Sequence, residues 1–213
     1  SRIRETSATR NHTEIALADF GARIKVSGGE IEIDGGRPLR AKEFPVPGDL
    51  SSAAFLVAAA LGVPGSRLRI TSVGLNPTRS GFISLLQEMG ANISVEQASA
   101  SGGEPVGNIT IESSDLAGMD IGGSWIPNVI DEIPVLAVLG ARTQNGIRIR
   151  DAAELRAKES DRIKAVATNL RALGASVEEY PDGLFVPGNQ ILMGGTVDSF
   201  GDHRIAMAFA VAA

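Results

Sequence analysis

One pattern occurs three times along the 213 residues, and no other feature limits the possible folds as strongly. Each copy is an amphipathic helix, with one apolar face to bury, then Gly-Ala, then a short strand. The first runs from Arg10-Asn11-His12-Thr13 to Phe20-Gly21-Ala22-Arg23-Ile24-Lys25-Val26. The second runs from Arg79-Ser80-Gly81-Phe82 to Met89-Gly90-Ala91-Asn92-Ile93-Ser94-Val95, and the third from Asp161-Arg162-Ile163 to Leu173-Gly174-Ala175-Ser176-Val177. Phe82, Leu85, Leu86 and Met89 fall at i, i+3, i+4 and i+7, and Ile163, Val166, Ala167, Leu170 and Leu173 share a face. Both are the stripe of an amphipathic helix. Gly after the last periodic residue predicts a helix stop, because a residue without Cβ enters the left-handed conformation at little cost.

A second element recurs upstream of these helices. Asp49, Asp131 and Asp202 each open a run that is apolar nearly all round, which predicts a buried helix with an aspartate at its start. The three aspartates stand roughly 70 to 80 residues apart, so the repeat is longer than one helix-strand pair. Arg67-Leu68-Arg69-Ile70-Thr71 and Gly146-Ile147-Arg148-Ile149-Arg150 supply a strand between the two helices, and Asn108-Ile109-Thr110-Ile111-Glu112 one after them. Each unit therefore reads strand, buried helix, strand, amphipathic helix, strand, strand. The fold class is α/β (α+β): repeated βαβαββ units with mixed sheets around buried helices, here incomplete. A Rossmann fold is excluded, since no G-x-G-x-x-G follows a strand, and no P-loop is present.

Gly35-Gly36-Arg37-Pro38-Leu39-Arg40 marks a candidate boundary. Residues 1–40 are expected to be the C-terminal end of one domain and residues 41–213 most of a second. The second domain divides into units of about 41–112 and 113–187 and a truncated third from about 188. The run Ile205-Ala206-Met207-Ala208-Phe209-Ala210-Val211-Ala212-Ala213 stops without a cap, which suggests an internal fragment.

A net charge of -5 argues against a nucleic-acid coat or a polybasic membrane contact, although a local cationic cluster can still hold a small anion. There is no Cys to form disulfides or thiolate metal sites, and no apolar run long enough to span a membrane. A cytoplasmic, soluble protein is expected. Lys158, Glu159 and Arg162 place two cations and a carboxylate within five residues. If they lie on a helix, Lys158 and Arg162 share a face at i, i+4 and repel unless an anion sits between them. Such a charge run is more often a solvated helix start. His203 and Arg204 fall in the first turn of the last buried helix, where free N–H groups and the dipole attract anions. His12 has no companion at metal-ligand spacing and reads as structural, and no metal site is expected.

Glu154-Leu155-Arg156-Ala157-Lys158-Glu159-Ser160-Asp161-Arg162 and Gly201-Asp202-His203-Arg204-Ile205-Ala206-Met207 resemble two signatures of the enolpyruvyl transferase family, in the form carried by its shikimate-pathway branch. Pro47-Gly48-Asp49 with Ser51-Ser52-Ala53, Asn76-Pro77-Thr78-Arg79, and Ile130-Asp131-Glu132 with Pro134 fit the same family in order and spacing. The resemblance covers essentially the whole chain. It implies a two-domain enzyme with its site between domains, moving the enolpyruvyl group of phosphoenolpyruvate to the 5-hydroxyl of shikimate 3-phosphate in chorismate biosynthesis. Such a reaction needs cations around a carboxylate and two phosphates, at least one acid/base pair, and no metal or redox cofactor.

By the same resemblance, Glu159 shuttles the proton on the methylene carbon, and Lys158 contacts both substrates and assists that transfer. Arg162 and Arg204 bind phosphoenolpyruvate with His203 nearby, and Arg10, in Ser7-Ala8-Thr9-Arg10, contacts shikimate 3-phosphate. Glu154 touches substrate without being critical. Asp131 accepts a hydrogen bond from the acceptor hydroxyl and acts as its base, while Asp49 and Asp202 remain helix caps. The partners are the two small substrates, without nucleic acid or membrane, in a protein that is monomeric at full length. Family residues outside the chain, among them a lysine and an arginine for phosphoenolpyruvate, imply that these 213 residues alone do not turn over. Three other readings compete: a UDP-N-acetylglucosamine enolpyruvyl transferase, an RNA 3'-phosphate cyclase-like protein, and a non-catalytic binding module.

Overall fold

The structure, a computed structural model, describes residues 1–5 and 9–213, so Ser7 and Ala8 of the string before Arg10 lie outside it. The first copy of the repeat forms α1 (His12–Asp19) and β2 (Ile24–Ser27). With β1 (Arg2–Arg4) and β3 (Glu30–Ile33), β2 makes a three-stranded antiparallel sheet in the order β1-β3-β2. Among the described residues of this part only Ile31 is a buried apolar side chain, and α1 has no buried face of the kind its period suggested. Phe20 stacks on Phe44, ring centroids 5.5 Å apart, and ties α1 to the chain that follows.

The next unit contains α2 (Leu50–Gly62), β4 (Arg67–Gly74), α3 (Gly81–Glu88), β5 (Asn92–Ser101) and β6 (Glu104–Glu112). β4, β6 and β5 form an antiparallel sheet in that order. The strand expected before α2 is reduced to a single parallel bridge from Gly48 to Val73. The unit after it is complete: β7 (Met119–Ile121), α4 (Ile126–Val129), α5 (Ile133–Gly140), β8 (Ile147–Ile149), α6 (Arg162–Ala172), β9 (Glu178–Tyr180) and β10 (Gly183–Val186). β7 runs parallel to β8, and β8, β10 and β9 alternate, so this sheet is mixed as expected. Residues 188–202 hold no strand, and α7 (His203–Ala212) follows.

Every residue of α5 and nine of α2 are buried, and α2, α5 and α7 pack on one another. The sheets cover this helical layer, with β4 and β6 on α2 and β8 on α5, while α3 and α6 present one apolar stripe each to the same core. No described helix is long and apolar enough to cross a membrane. Gly21, Gly90 and Gly174, the three repeat glycines, have φ of 90°, 94° and 82°, so each stops its helix in the left-handed region. A Cβ on Gly90 would meet only the Asp115 carbonyl, at 3.7 Å. Gly90→Ala is therefore expected to cost about 1–2 kcal/mol by backbone conformation alone, read as a lower urea midpoint with an unchanged slope. An unchanged midpoint would show that the turn relaxes.

Candidate functional site

Three of the buried or amphipathic helices begin beside one another, and their first residues carry the polar groups. Asp49 caps α2, accepting from the Ser52 N–H at 2.8 Å, and Asp202 caps α7, accepting from the Arg204 N–H at 2.9 Å. Asp161 caps α6 by accepting from the Lys164 N–H at 3.0 Å, which makes Arg162 the first residue of that helix. Asp131 departs from this pattern. It lies in the turn between α4 and α5, one residue before the α5 N-cap position, which Glu132 occupies without a side-chain cap. Its carboxylate is free for other partners.

Those partners are three arginines. Arg10, from the loop before α1, donates through Nη2 to Asp131 Oδ2. Arg162 Nη1 lies 3.5 Å from Asp131 Oδ1, and Arg204 Nη2 lies 3.8 Å from Oδ2. Arg204 Nη1 also donates to the Asp131 carbonyl at 3.2 Å. Burial works to raise the Asp131 pKa, but the Arg10 hydrogen bond and the charges of Arg204, Arg10 and Arg162 outweigh it, and the net direction is down.

Arg162 is 2% exposed and its Nε donates to Asp202 Oδ2 at 2.8 Å, where the Asp202 side chain is 0% exposed. Ser160 Oγ donates to the same oxygen at 3.1 Å. Arg162 Nη2 donates to Glu159 Oε2 at 2.6 Å, and Glu159, 54% exposed, faces solvent beyond it. The Asp202 carboxyl is also lowered: burial raises it, and the Arg162 fork, the Arg204 N–H and the Ser160 hydroxyl overcome that. Asp202 is thus both a cap and the counter-charge of Arg162, a second role that adjacency to His203-Arg204 does not reveal.

Lys158 is not on a helix. It ends the 3-10 turn Ala153–Ala157 with extended backbone (φ -85°, ψ -158°), and α6 starts four residues later. The shared helix face expected for Lys158 and Arg162 therefore does not exist, because the chain leaves the helical conformation at Lys158 and Asp161 caps a new helix. Lys158 instead pairs with the exposed Glu154, and among the described residues neither hydrogen-bonds to the Asp131 cluster. His203 is exposed at the start of α7 and also stands apart from that cluster. Arg10, Asp131, Glu159, Arg162 and Arg204 are brought together; Lys158, Glu154 and His203 line the sequence around them.

Glu132 was not singled out by the sequence. It is buried beside Arg204, Nη1 to Oε1 3.8 Å, and burial pushes its carboxyl up although Ser51, Arg204 and Arg79 oppose this. Arg79 donates to Ser51 Oγ and to Asp49 Oδ1, the latter at 3.1 Å, which links the start of α2 to the same surface. Its place in the string Ile130-Asp131-Glu132, beside Asp131, was the available signal for Glu132.

Repeated βαβαββ units whose packed helix starts bring three guanidiniums onto one carboxylate define an α/β protein with a cationic cluster at a single place. The chain belongs to the EPSP synthase (3-phosphoshikimate 1-carboxyvinyltransferase) family, whose model matches residues 2–213. A 3-phosphoshikimate 1-carboxyvinyltransferase of Solibacter usitatus is 53% identical over 211 residues, covering 99% of this chain and 50% of the relative. One from Desulforudis audaxviator is 50% identical over 212 residues, covering 100% of this chain and 49% of the relative. The solved EPSP synthase of Acinetobacter baumannii superposes with a TM-score of 0.93 at 38% identity, covering 100% of this chain and 49% of that one. The chain spans about half the length of the curated relatives it matches. The family resemblance and the mixed α/β fold expected from the repeats are both borne out.

Proposed function

We propose that the protein, at the length of its relatives, transfers the enolpyruvyl group of phosphoenolpyruvate to the 5-hydroxyl of shikimate 3-phosphate and releases phosphate. The observation that carries this reading is the meeting of Arg10, Arg162 and Arg204 on Asp131 from distant parts of the chain. In the addition step the hydroxyl oxygen bonds to C2 of phosphoenolpyruvate, its proton leaves, and a proton adds to the methylene carbon. In the elimination step the C2–O bond to phosphate breaks and a methyl proton is removed, restoring the double bond. The sum is redox-neutral.

Asp131 receives the hydroxyl's hydrogen bond and its proton. Glu159, exposed beside Arg162, holds the proton exchanged with the methylene carbon, and Lys158 assists from the adjacent extended segment. Arg204 pairs with phosphoenolpyruvate, Arg162 adds its charge from a buried position, and Arg10 pairs with shikimate 3-phosphate. Glu154 and His203 are peripheral substrate contacts. Residues 1–40 belong to one domain and 41–213 to the other of a cytoplasmic, monomeric enzyme whose partners are its two small substrates. The test is phosphate release from phosphoenolpyruvate with shikimate 3-phosphate and UDP-N-acetylglucosamine offered separately. Release with the first acceptor alone supports the reading, release with the second transfers it to the other enolpyruvyl class, and none from folded protein leaves a binding module.

A further inference from the structure

Arg10 reaches Asp131 from the loop before α1, with 42% of its side chain exposed. Asn11 occupies the N-cap position of α1, yet its side chain makes no cap hydrogen bond. Its Oδ1 instead accepts from Asn76 Nδ2 at 2.9 Å, and that same amide donates to Glu104 Oε2 at 2.8 Å. Asn76 is 1% exposed, and its Oδ1 is taken by the Thr78 N–H and hydroxyl at 2.8 and 2.7 Å. Glu104 closes the cluster, with both carboxylate oxygens 2.8 and 2.9 Å from His12 Nδ1. An ionised carboxylate only accepts, so the His12 tautomer in this contact carries its proton on Nδ1. The β5–β6 turn that delivers Glu104 is pressed on α1, since a Cβ on Gly103 would lie 3.0 Å from Ile15 Cγ2.

We infer that Asn76, Glu104 and His12 are positioning residues that hold Arg10 on Asp131, and through it the acceptor substrate. The inference rests on the proposed reaction. The two residues after Arg10 are pinned to a buried amide and a carboxylate, which fixes the backbone beside Arg10 while its guanidinium meets Asp131. Free of the clamp, Arg10 would still be charged but no longer oriented, and a long flexible side chain loses binding when its direction is lost. The histidine read as merely structural, and the Asn76-Pro77-Thr78-Arg79 string with no assigned role, both acquire one.

The test is a double-mutant cycle in the protein of full family length: wild type, His12→Ala, Arg10→Ala and the double variant, each with a thermal melt. His12→Ala is expected to raise KM for shikimate 3-phosphate by roughly tenfold while kcat and KM for phosphoenolpyruvate move less than about twofold. In the Arg10→Ala background the same change should do nothing further, because a residue acting through Arg10 has lost its object. Should His12→Ala fail to fold, Glu104→Gln, nearly isosteric and able to accept one hydrogen bond, carries the same cycle with a smaller, again Arg10-dependent, rise. Additive effects in the double variant, or a lower melting point with unchanged KM, would overturn the clamp. A wild-type protein without shikimate 3-phosphate-dependent release would instead remove the proposed reaction, and the clamp's purpose with it.

Discussion

Arg162→Met is expected to destabilise the fold by about 3–5 kcal/mol, because it leaves a buried carboxylate without its counter-charge. The Asp202 side chain is wholly enclosed, and its hydrogen bonds from Arg162, the Arg204 N–H and Ser160 hold its carboxyl in the ionised form there. The same carboxylate caps α7, so displacing it frees the start of a helix that packs on α5 and α2. The sign of the pH dependence distinguishes this cause from lost packing. In the wild type the Asp202 pKa is lowered, so its contribution is present above the ordinary carboxylate range and is lost as pH falls through the folded value. In the variant the burial that raises the pKa loses its main opponent, and stability should instead fall as pH rises through the raised value. Urea unfolding should therefore show the largest penalty near neutral pH and a smaller one near pH 4. The double variant Arg162→Met with Asp202→Asn should recover most of the loss. A loss in the single variant that is the same at both pH values would point to packing instead.

Asp131→Asn should lower shikimate 3-phosphate-dependent phosphate release by about 10²- to 10⁴-fold, the range associated with removing a positioned acid or base. The substitution keeps the shape but turns one acceptor into an N–H donor among three guanidiniums. The lowered pKa also constrains the part Asp131 could take in the proposed reaction. A carboxyl held below its usual range is a weak base toward a free hydroxyl, so in the proposed reaction its proton transfer would come late, when the C–O bond has formed and the oxygen has become acidic. In the wild type, the acid limb set by this group should lie below the ordinary carboxylate range. A variant that keeps more than about a tenth of the rate would assign the proton to another group.

Much of the fold could be read along the chain because its signals are local. The stripes of α3 and α6, the left-handed glycines after each helix, and the caps Asp49 and Asp202 depend on neighbours a few residues away, and they stand where expected. Where a local signal was taken too far it failed for an equally local reason. Lys158 and Arg162 have helical spacing, but Asp161 caps a new helix between them, and spacing alone does not show that a helix is continuous. The α1 pattern predicted a buried face that the thin sheet β1-β3-β2 does not provide.

The candidate site was legible as a set of residues and not as a set of contacts. Asp131 shares the repeat position of two true caps, and only the turn before α5 turns its carboxylate away from the helix and toward Arg10, 121 residues distant in sequence. The second role of Asp202, the burial of Glu132 and the hub at Asn76 likewise involve partners that no pattern of spacing brings together. Periodicity and capping are settled within one or two turns of chain, so the residues alone determine the units, their order and the family. Which charge meets which, and how far each pKa moves, depends on how those units pack, because burial and distance enter only when remote segments share one interior.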